Sequence, residues 1–256
     1  MRLTAASCLF LLVLQYQPNA LPAQTAPAKG AVVIDPQRMA AATELTEVIF
    51  AAQDVQHQLN SLIDGLLQQI AVNQTALNQF MDAHPAMRSE LKAAWLPIFT
   101  RAASDVRPKM MREVAELYAA SLSAEELREV TAFFKTPVGQ RLLSGVQANM
   151  NLSNATAELA QGAMSDSKTI PDVSQASLDK DRRAAAVRSV ASLSASDLQL
   201  LETASARPGM QKIAALGKQR GAIEAKWFNF SDPTAEREIE KVTEAIITRY
   251  LKETGK

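Results

Sequence analysis

The stretch Leu122–Val146, LSAEELREVTAFFKTPVGQRLLSGV, decides the fold. Ser123, with Glu126 three residues on, makes a capping box: hydroxyl and carboxylate satisfy N–H groups that the first helical turn leaves unbonded. Leu127, Val130 and Phe134 then recur at helical spacing. Thr136-Pro137 ends that helix, because the residue before a proline is pushed out of the α region. The same pair starts the next helix, with Thr136 as N-cap and Pro137 in the first helical position. Gly139 follows, where the missing Cβ lets another backbone come close. Neighbouring helical residues point about 100° apart. Phe134 is therefore expected in the core and Phe133 nearer the edge of that face, meeting another helix or partly open. Ser123, Glu126, Phe133, Phe134, Thr136, Pro137 and Gly139 thus specify a helix–corner–helix unit, and they specify no chemistry.

Outward from this unit the helical period continues. Leu45, Val48, Ile49, Ala52, Val55, Leu59, Leu62, Ile63, Leu66 and Ile70 keep it for about seven turns. They predict one long N-terminal helix, starting near Met39 and packed across the hairpins. A shorter helix with Leu77, Phe80 and Met81 ends before His84-Pro85. The next carries Met87, Leu91, Ala94, Trp95, Ile98, Phe99 and Ala102 on one face. Pro97 predicts a kink or restart inside it, and Arg107-Pro108 a second restart. After Pro137 the helix is expected to reach about Gly162. Nine glycines against abundant alanine, leucine and glutamine favour helix, and eight Phe, three Tyr and two Trp are thin for an all-β core. The expected fold is all-α, with helical hairpins in a bundle-like array. Its serial division is a signal peptide at 1–23 (cut possibly as late as 28), a flexible lead-in at 24–36, a helical domain at 37–164, a polar linker at 165–180 and a second helical unit at 181–256. Asp232-Pro233 begins the last helix, which carries Ile239, Val242, Ile246 and Tyr250 on one face.

An internal repeat joins the centre to the last third. Ala120-Ser-Leu-Ser-Ala124 recurs as Ala191-Ser-Leu-Ser-Ala195, 71 residues on. The same offset pairs Glu126 with Asp197, Val130 with Leu201, Pro137 with Pro208, Arg141 with Lys212 and Leu142 with Ile213. Cap, apolar face, break and restart correspond without a gap, which predicts a degenerate duplication of one hairpin at about 120–146 and 191–217. Ala204 and Ser205 stand where the first copy has Phe133 and Phe134.

The N-terminus reads as a secretory signal peptide: Arg2, an apolar run Ala5–Leu14 too short to span a bilayer, then small residues, with Ala23 or Ala28 before the cut. Cys8, the one cysteine, lies in that run, so a mature chain would hold no disulfide and no thiol nucleophile. Lys and Arg number 27 against 27 Asp and Glu, without the basic footprint of a nucleic-acid binder. No other segment is long and apolar enough for an integral membrane protein.

Leu117-Tyr118, Ser123-Ala-Glu-Glu-Leu127 and Ala132-Phe-Phe-Lys-Thr-Pro-Val-Gly-Gln-Arg-Leu142 together resemble the domain of unknown function 2059 family, helical proteins mostly exported by Gram-negative bacteria. The resemblance spans about 117–143. Phe134 replaces that family's usual tyrosine, and Thr136 its usual serine with the cap retained. It implies an α-helical fold and an envelope location, periplasmic or secreted, and brings no catalytic residue, cofactor or metal.

The remaining candidates read more simply as structure. His57 and His84, the two histidines, lack H-E-x-x-H spacing and suit surface or capping roles. Glu125, Glu126 and Glu129 place favourable charge at a helix N-terminus. Phe133, Phe134, Tyr118, Trp95 and Phe99 could line an apolar pocket but suit a core between hairpins better. Lys135, Arg141 and Arg107, near the Pro137 helix start, suit solvated charge better than an anion site. The sequence therefore points to a non-enzymatic envelope module that binds a partner protein or an apolar ligand. The alternative is a hydrolase whose site gathers scattered Glu and His residues.

Overall fold

The computed structural model describes residues 34–73, 75–163, 172–230 and 232–253. Helix follows helix, with no strand among the described residues. The helices are α1 (Pro36–Ala51), α2 (Val55–Asn73), α3 (Thr75–Ala83), α4 (Pro85–Ser121), α5 (Ala124–Lys135), α6 (Pro137–Ala148), α7 (Ser153–Ala163), α8 (Gln175–Ala191), α9 (Ala195–Ser205), α10 (Pro208–Ala215), α11 (Gly217–Phe228) and α12 (Pro233–Glu253). The proposed signal peptide, and the lead-in up to residue 33, lie outside the described residues.

Several boundaries differ from the sequence reading. The expected seven-turn N-terminal helix is two helices. It starts at Pro36, where the Asp35 carboxylate accepts from Gln37 N, and it breaks after Ala51. Asp54 Oδ1 then accepts from His57 N at 2.9 Å and caps α2, so a local cap overrides a continuous apolar stripe. The helix expected to run from Pro137 to Gly162 stops at Ala148. Asn149 Nδ2 donates to Gly145 O at 2.8 Å, and Asn151 Oδ1 accepts from Ser153 N at the start of α7. α4 runs through both Pro97 and Pro108, so the helix does not restart at Pro97, where the sequence predicts a kink or restart, nor at Pro108. An interior proline costs about 3 kcal/mol. The buried faces on either side, Met87, Leu91, Trp95 and Ile98 and then Val114, Ala115, Tyr118 and Ala119, offset that. Of the expected linker, residues 175–180 are the first turns of α8 and Val173 is buried.

The chain forms two compact units, and each takes three separate stretches of sequence, whereas the sequence reading is serial. The first comprises residues 34–53, 109–149 and 182–224. Its core is one apolar cluster that includes Leu45, Phe50, Val114, Tyr118, Leu127, Val130, Phe133, Phe134, Leu142, Leu201, Met210 and Ile213. α1 packs along α5, α5 against α10, and α6 against α9. Arg38 of α1 donates twice to Leu122 O, at 3.1 and 2.9 Å, closing the C-terminal end of α4 with a cation.

Within this unit residues 120–146 and 191–217 both form helical hairpins, with breaks at Pro137 and Pro208. The burial register extends N-terminally beyond the hairpins at the same offset. Val114 and Ala185, Ala115 and Ala186, and Tyr118 and Ser189 are all buried. Each copy is therefore a helix followed by a hairpin. Ser189 Oγ donates to Leu142 O at 3.1 Å, and a Cβ at Gly145 would lie 2.4 Å from that hydroxyl oxygen. The approach of α8 to α6 thus requires the small residue.

The second unit comprises residues 54–108, 150–181 and 225–253 among those described. α2 packs against α3 and α7. Ile63, Leu67, Met81, Met87, Leu91, Trp95 and Tyr250 form one cluster, with Ile239, Val242 and Ile246 of α12 packed against it. Trp95 Nε1 donates to Thr243 Oγ1 at 2.9 Å. Asp181, only 2 % exposed, accepts from Asn154 N and Ala155 N, each at 3.1 Å, and so caps α7 from a distant part of the chain.

Tyr118 is 1 % exposed, and its hydroxyl has no hydrogen-bond partner among the described residues. Burying an unbonded hydroxyl costs about 1–3 kcal/mol, and removing it relieves that cost. Tyr118→Phe should therefore leave the urea unfolding midpoint unchanged or raise it. A drop equivalent to more than about 1 kcal/mol would show that the hydroxyl is bonded.

Candidate functional site

The seven motif residues gather at the corner between α5 and α6. Ser123 Oγ accepts from Glu126 N at 3.2 Å, and Glu126 Oε2 accepts from Ser123 N at 2.8 Å. Thr136 serves two helices at once. Its N–H and its hydroxyl both reach Phe133 O, at 2.9 and 2.7 Å, closing α5, and its Oγ1 accepts from Gly139 N at 3.1 Å, opening α6. Pro137 occupies the first turn of α6, where its missing N–H costs nothing. Gln140 Nε2 donates to Phe134 O at 2.7 Å. A Cβ at Gly139 would sit 2.3 Å from Phe133 O and 2.6 Å from Phe134 Cα, so the fold-back of α6 onto α5 is a backbone-to-backbone approach.

Phe133 and Phe134 meet edge to face, ring centroids 5.4 Å apart, and both are buried, at 7 % and 6 % exposure. Of the two alternatives expected for Phe133, meeting another helix or lying partly open, the second does not hold. α5 is covered by α1, α6 and α10 together, so more than one narrow face is buried.

Around the corner the charges pair across the two hairpins. Lys212 Nζ lies 2.6 Å from Glu126 Oε1 and 2.9 Å from Oε2. Arg141 Nη2 lies 2.5 Å from Asp197 Oδ1, and Arg207 Nη1 lies 3.3 Å from Glu129 Oε1. Lys212 and the Ser123 N–H hold the Glu126 carboxyl below the usual carboxylate range. Arg141, with Ser194 at the cap of α9, does the same for Asp197 against the opposing effect of burial. Since residues 126 and 197, and 141 and 212, are equivalent in the repeat, the two bridges are one contact made twice. The sequence comparison aligned these residues but did not show that each acid reaches the other copy's base. The only signal was opposite charge at two aligned positions.

The other candidates separate. Tyr118, Phe133 and Phe134 belong to the first unit's core, and Trp95 and Phe99 to a cluster of the second, so no single aromatic pocket holds all five. Lys135 binds Glu44 at 2.5 Å while Arg141 binds Asp197, so those two cations serve different carboxylates. His57 is exposed in the first turn of α2. The His84 ring lies between those of Phe80 and Tyr250, at centroid distances of 4.8 and 5.1 Å. Glu125 is exposed in the first turn of α5. Asp181 carried no local sequence signal, because the N–H groups it caps lie 26 and 27 residues away. Among the described residues no three His, Cys, Asp or Glu side chains gather as a metal site would require, and no helix is long and apolar enough to cross a membrane.

Residues 108–166 match the family model described as "Uncharacterized protein conserved in bacteria (DUF2059)". The match covers the end of α4, the α5–α6 hairpin and α7. No curated protein and no solved structure matches the chain significantly.

Gly139→Ala should cost about 1–3 kcal/mol, the overpacking range, because backbone and not a side-chain tip must move. Phe133→Ala and Phe134→Ala should each cost about 3–5 kcal/mol. Urea denaturation checks all three, and a Phe133→Ala midpoint like that of the parent would place that ring outside the core.

Proposed function

We propose that this protein is a non-enzymatic interaction module of the bacterial envelope, exported to the periplasm or beyond after loss of its signal peptide, and that it binds an envelope protein. The observation that carries the non-enzymatic reading is the use already made of its buried carboxylates. The Asp181 carboxylate caps α7 in the second unit, and the Asp197 carboxylate, in the first turn of α9, is tied to Arg141 in the first. A hydrolase built from scattered acids needs two of them converging on one reacting atom. These two serve helix ends in different units. The division of the five aromatics between two cores favours a protein partner over an apolar ligand held among them. Export rests on Arg2, the apolar run Ala5–Leu14 and the small residues that follow.

N-terminal sequencing of the protein recovered from the envelope fraction should begin between Gln24 and Lys29. A cytoplasmic protein that begins at Met1 overturns the export reading. Affinity capture of the full chain from envelope extract should retain a protein in stoichiometric amount. Recovery of a bound lipid with no protein would instead favour the apolar-ligand reading.

A further inference from the structure

We infer that the paired hairpins form a two-fold electrostatic latch, released by acid, that holds α9–α10 against α5–α6. α6 and α10 each carry a single charged side chain, Arg141 and Lys212, at equivalent positions of the repeat. Each is aimed at the N-terminal acid of the other copy's first helix: Lys212 at Glu126 on α5, Arg141 at Asp197 on α9. The Glu126 carboxylate also closes the capping box of its own helix by accepting from Ser123 N, while on α9 it is the Asp197 N–H that donates to Ser194 Oγ and its carboxylate lies in the first helical turn. A third bridge, Arg207 to Glu129, crosses between the same hairpins. The charged groups near Glu126 are thus Lys212 from α10, Arg207 preceding it, and Glu125, Arg128 and Glu129 on α5 itself. On the α1 side, Arg38 is engaged by Leu122 O and Glu44 by Lys135. Asp197 is faced by Arg141 from α6.

The coupling of cap to bridge is what makes this arrangement a device. The cations are about half exposed, 53 % for Arg141 and 51 % for Lys212, and an isolated pair of that kind contributes little. Protonating Glu126 removes a bridge and the carboxylate half of a capping box in the same step; protonating Asp197 removes a bridge and the negative charge in the first turn of α9; each leaves a cation without its partner. The folded state holds both carboxyls below their ordinary values. Their contribution is therefore fully present above the unfolded carboxylate range near about pH 4, and is lost as pH falls through the lower folded values. The face beneath comprises Val130, Leu142, Leu201, Met210 and Ile213. This inference does not depend on what the protein binds.

Amide hydrogen exchange of the full chain, followed by mass spectrometry and corrected for the intrinsic pH dependence of exchange, tests it. Between pH 7 and about pH 2.5, below the ordinary carboxylate range, the amides of α9 and α10 should lose protection by about tenfold or more, while those of α2 and α7 change less. The Arg141→Met/Lys212→Met variant removes the latch and leaves both caps in place. At pH 7 it should already show the loss of protection that the bridges account for, and acid should add only what the helix N-termini account for, a smaller change than in the parent. Circular dichroism and protection in α2 and α7 report that the variant is folded. Unchanged protection of α9–α10 in the acidified parent overturns the inference, and so does a folded variant that follows the parent's pH profile.

Discussion

The first unit depends on the backbone approach at Gly139. Thr136 closes α5 and opens α6 with one hydroxyl, and Pro137 fixes the direction of the new helix. These devices set where the chain turns. How sharply α6 returns is set by the absence of a Cβ at residue 139, which lets α6 press on the last carbonyls of α5. Only with the hairpin closed that tightly do Val130 and Leu142 contribute to one core, with α1, α9 and α10 packed around it.

The second copy reaches the same outline by other means. Ser205 and Met210 stand where Phe134 and Gly139 stand, all four buried. The large residue has moved from the first helix of the hairpin to the second. Its corner also lacks a hydroxyl cap: Arg207 takes the N-cap position without a side-chain bond and sends its guanidinium to Glu129 instead. Phe133, whose counterpart is Ala204, has no such replacement, so the second copy keeps the buried pattern with less side-chain volume. This explains why a repeat with few identical residues is recognised by register more than by composition.

Legibility in the sequence followed the range of the interaction. The capping box, the Thr136-Pro137 break and the start of the last helix at Pro233 are local, and each could be read from three or four residues. The misread boundaries were decided elsewhere. Apolar periodicity runs through Ala52–Asp54, and only the Asp54 cap shows that one helix ends there. Pro97 and Pro108 read as breaks because the buried faces that sustain α4 involve distant residues. Phe133 read as an edge because the number of helices around α5 is not written in α5. The reciprocal bridges lay between these cases, since the aligned residues were visible and their crossing was not.

Two-fold packing of two hairpins leaves two equivalent outer faces, and the chain treats them differently. α1 lies on α5, anchored in its first turn by Arg38 on Leu122 O and at mid-helix by Glu44 on Lys135. Thr131 is buried there at 4 % exposure, its hydroxyl donating to Leu127 O at 2.7 Å. On α9 the equivalent of Thr131 is Glu202 and that of Lys135 is Ala206, both exposed. A carboxylate at that place would be costly under a covering helix and costs nothing in water. The asymmetry is therefore built into residue choice: a buried Thr131, and Lys135 paired with Glu44, where the N-terminal helix lies, and exposed Glu202 and Ala206 where no described helix lies. It also shows why, among the described residues, the α1–α5 contact does not recur on the second copy, although the hairpins beneath are equivalent in register and in the two reciprocal bridges.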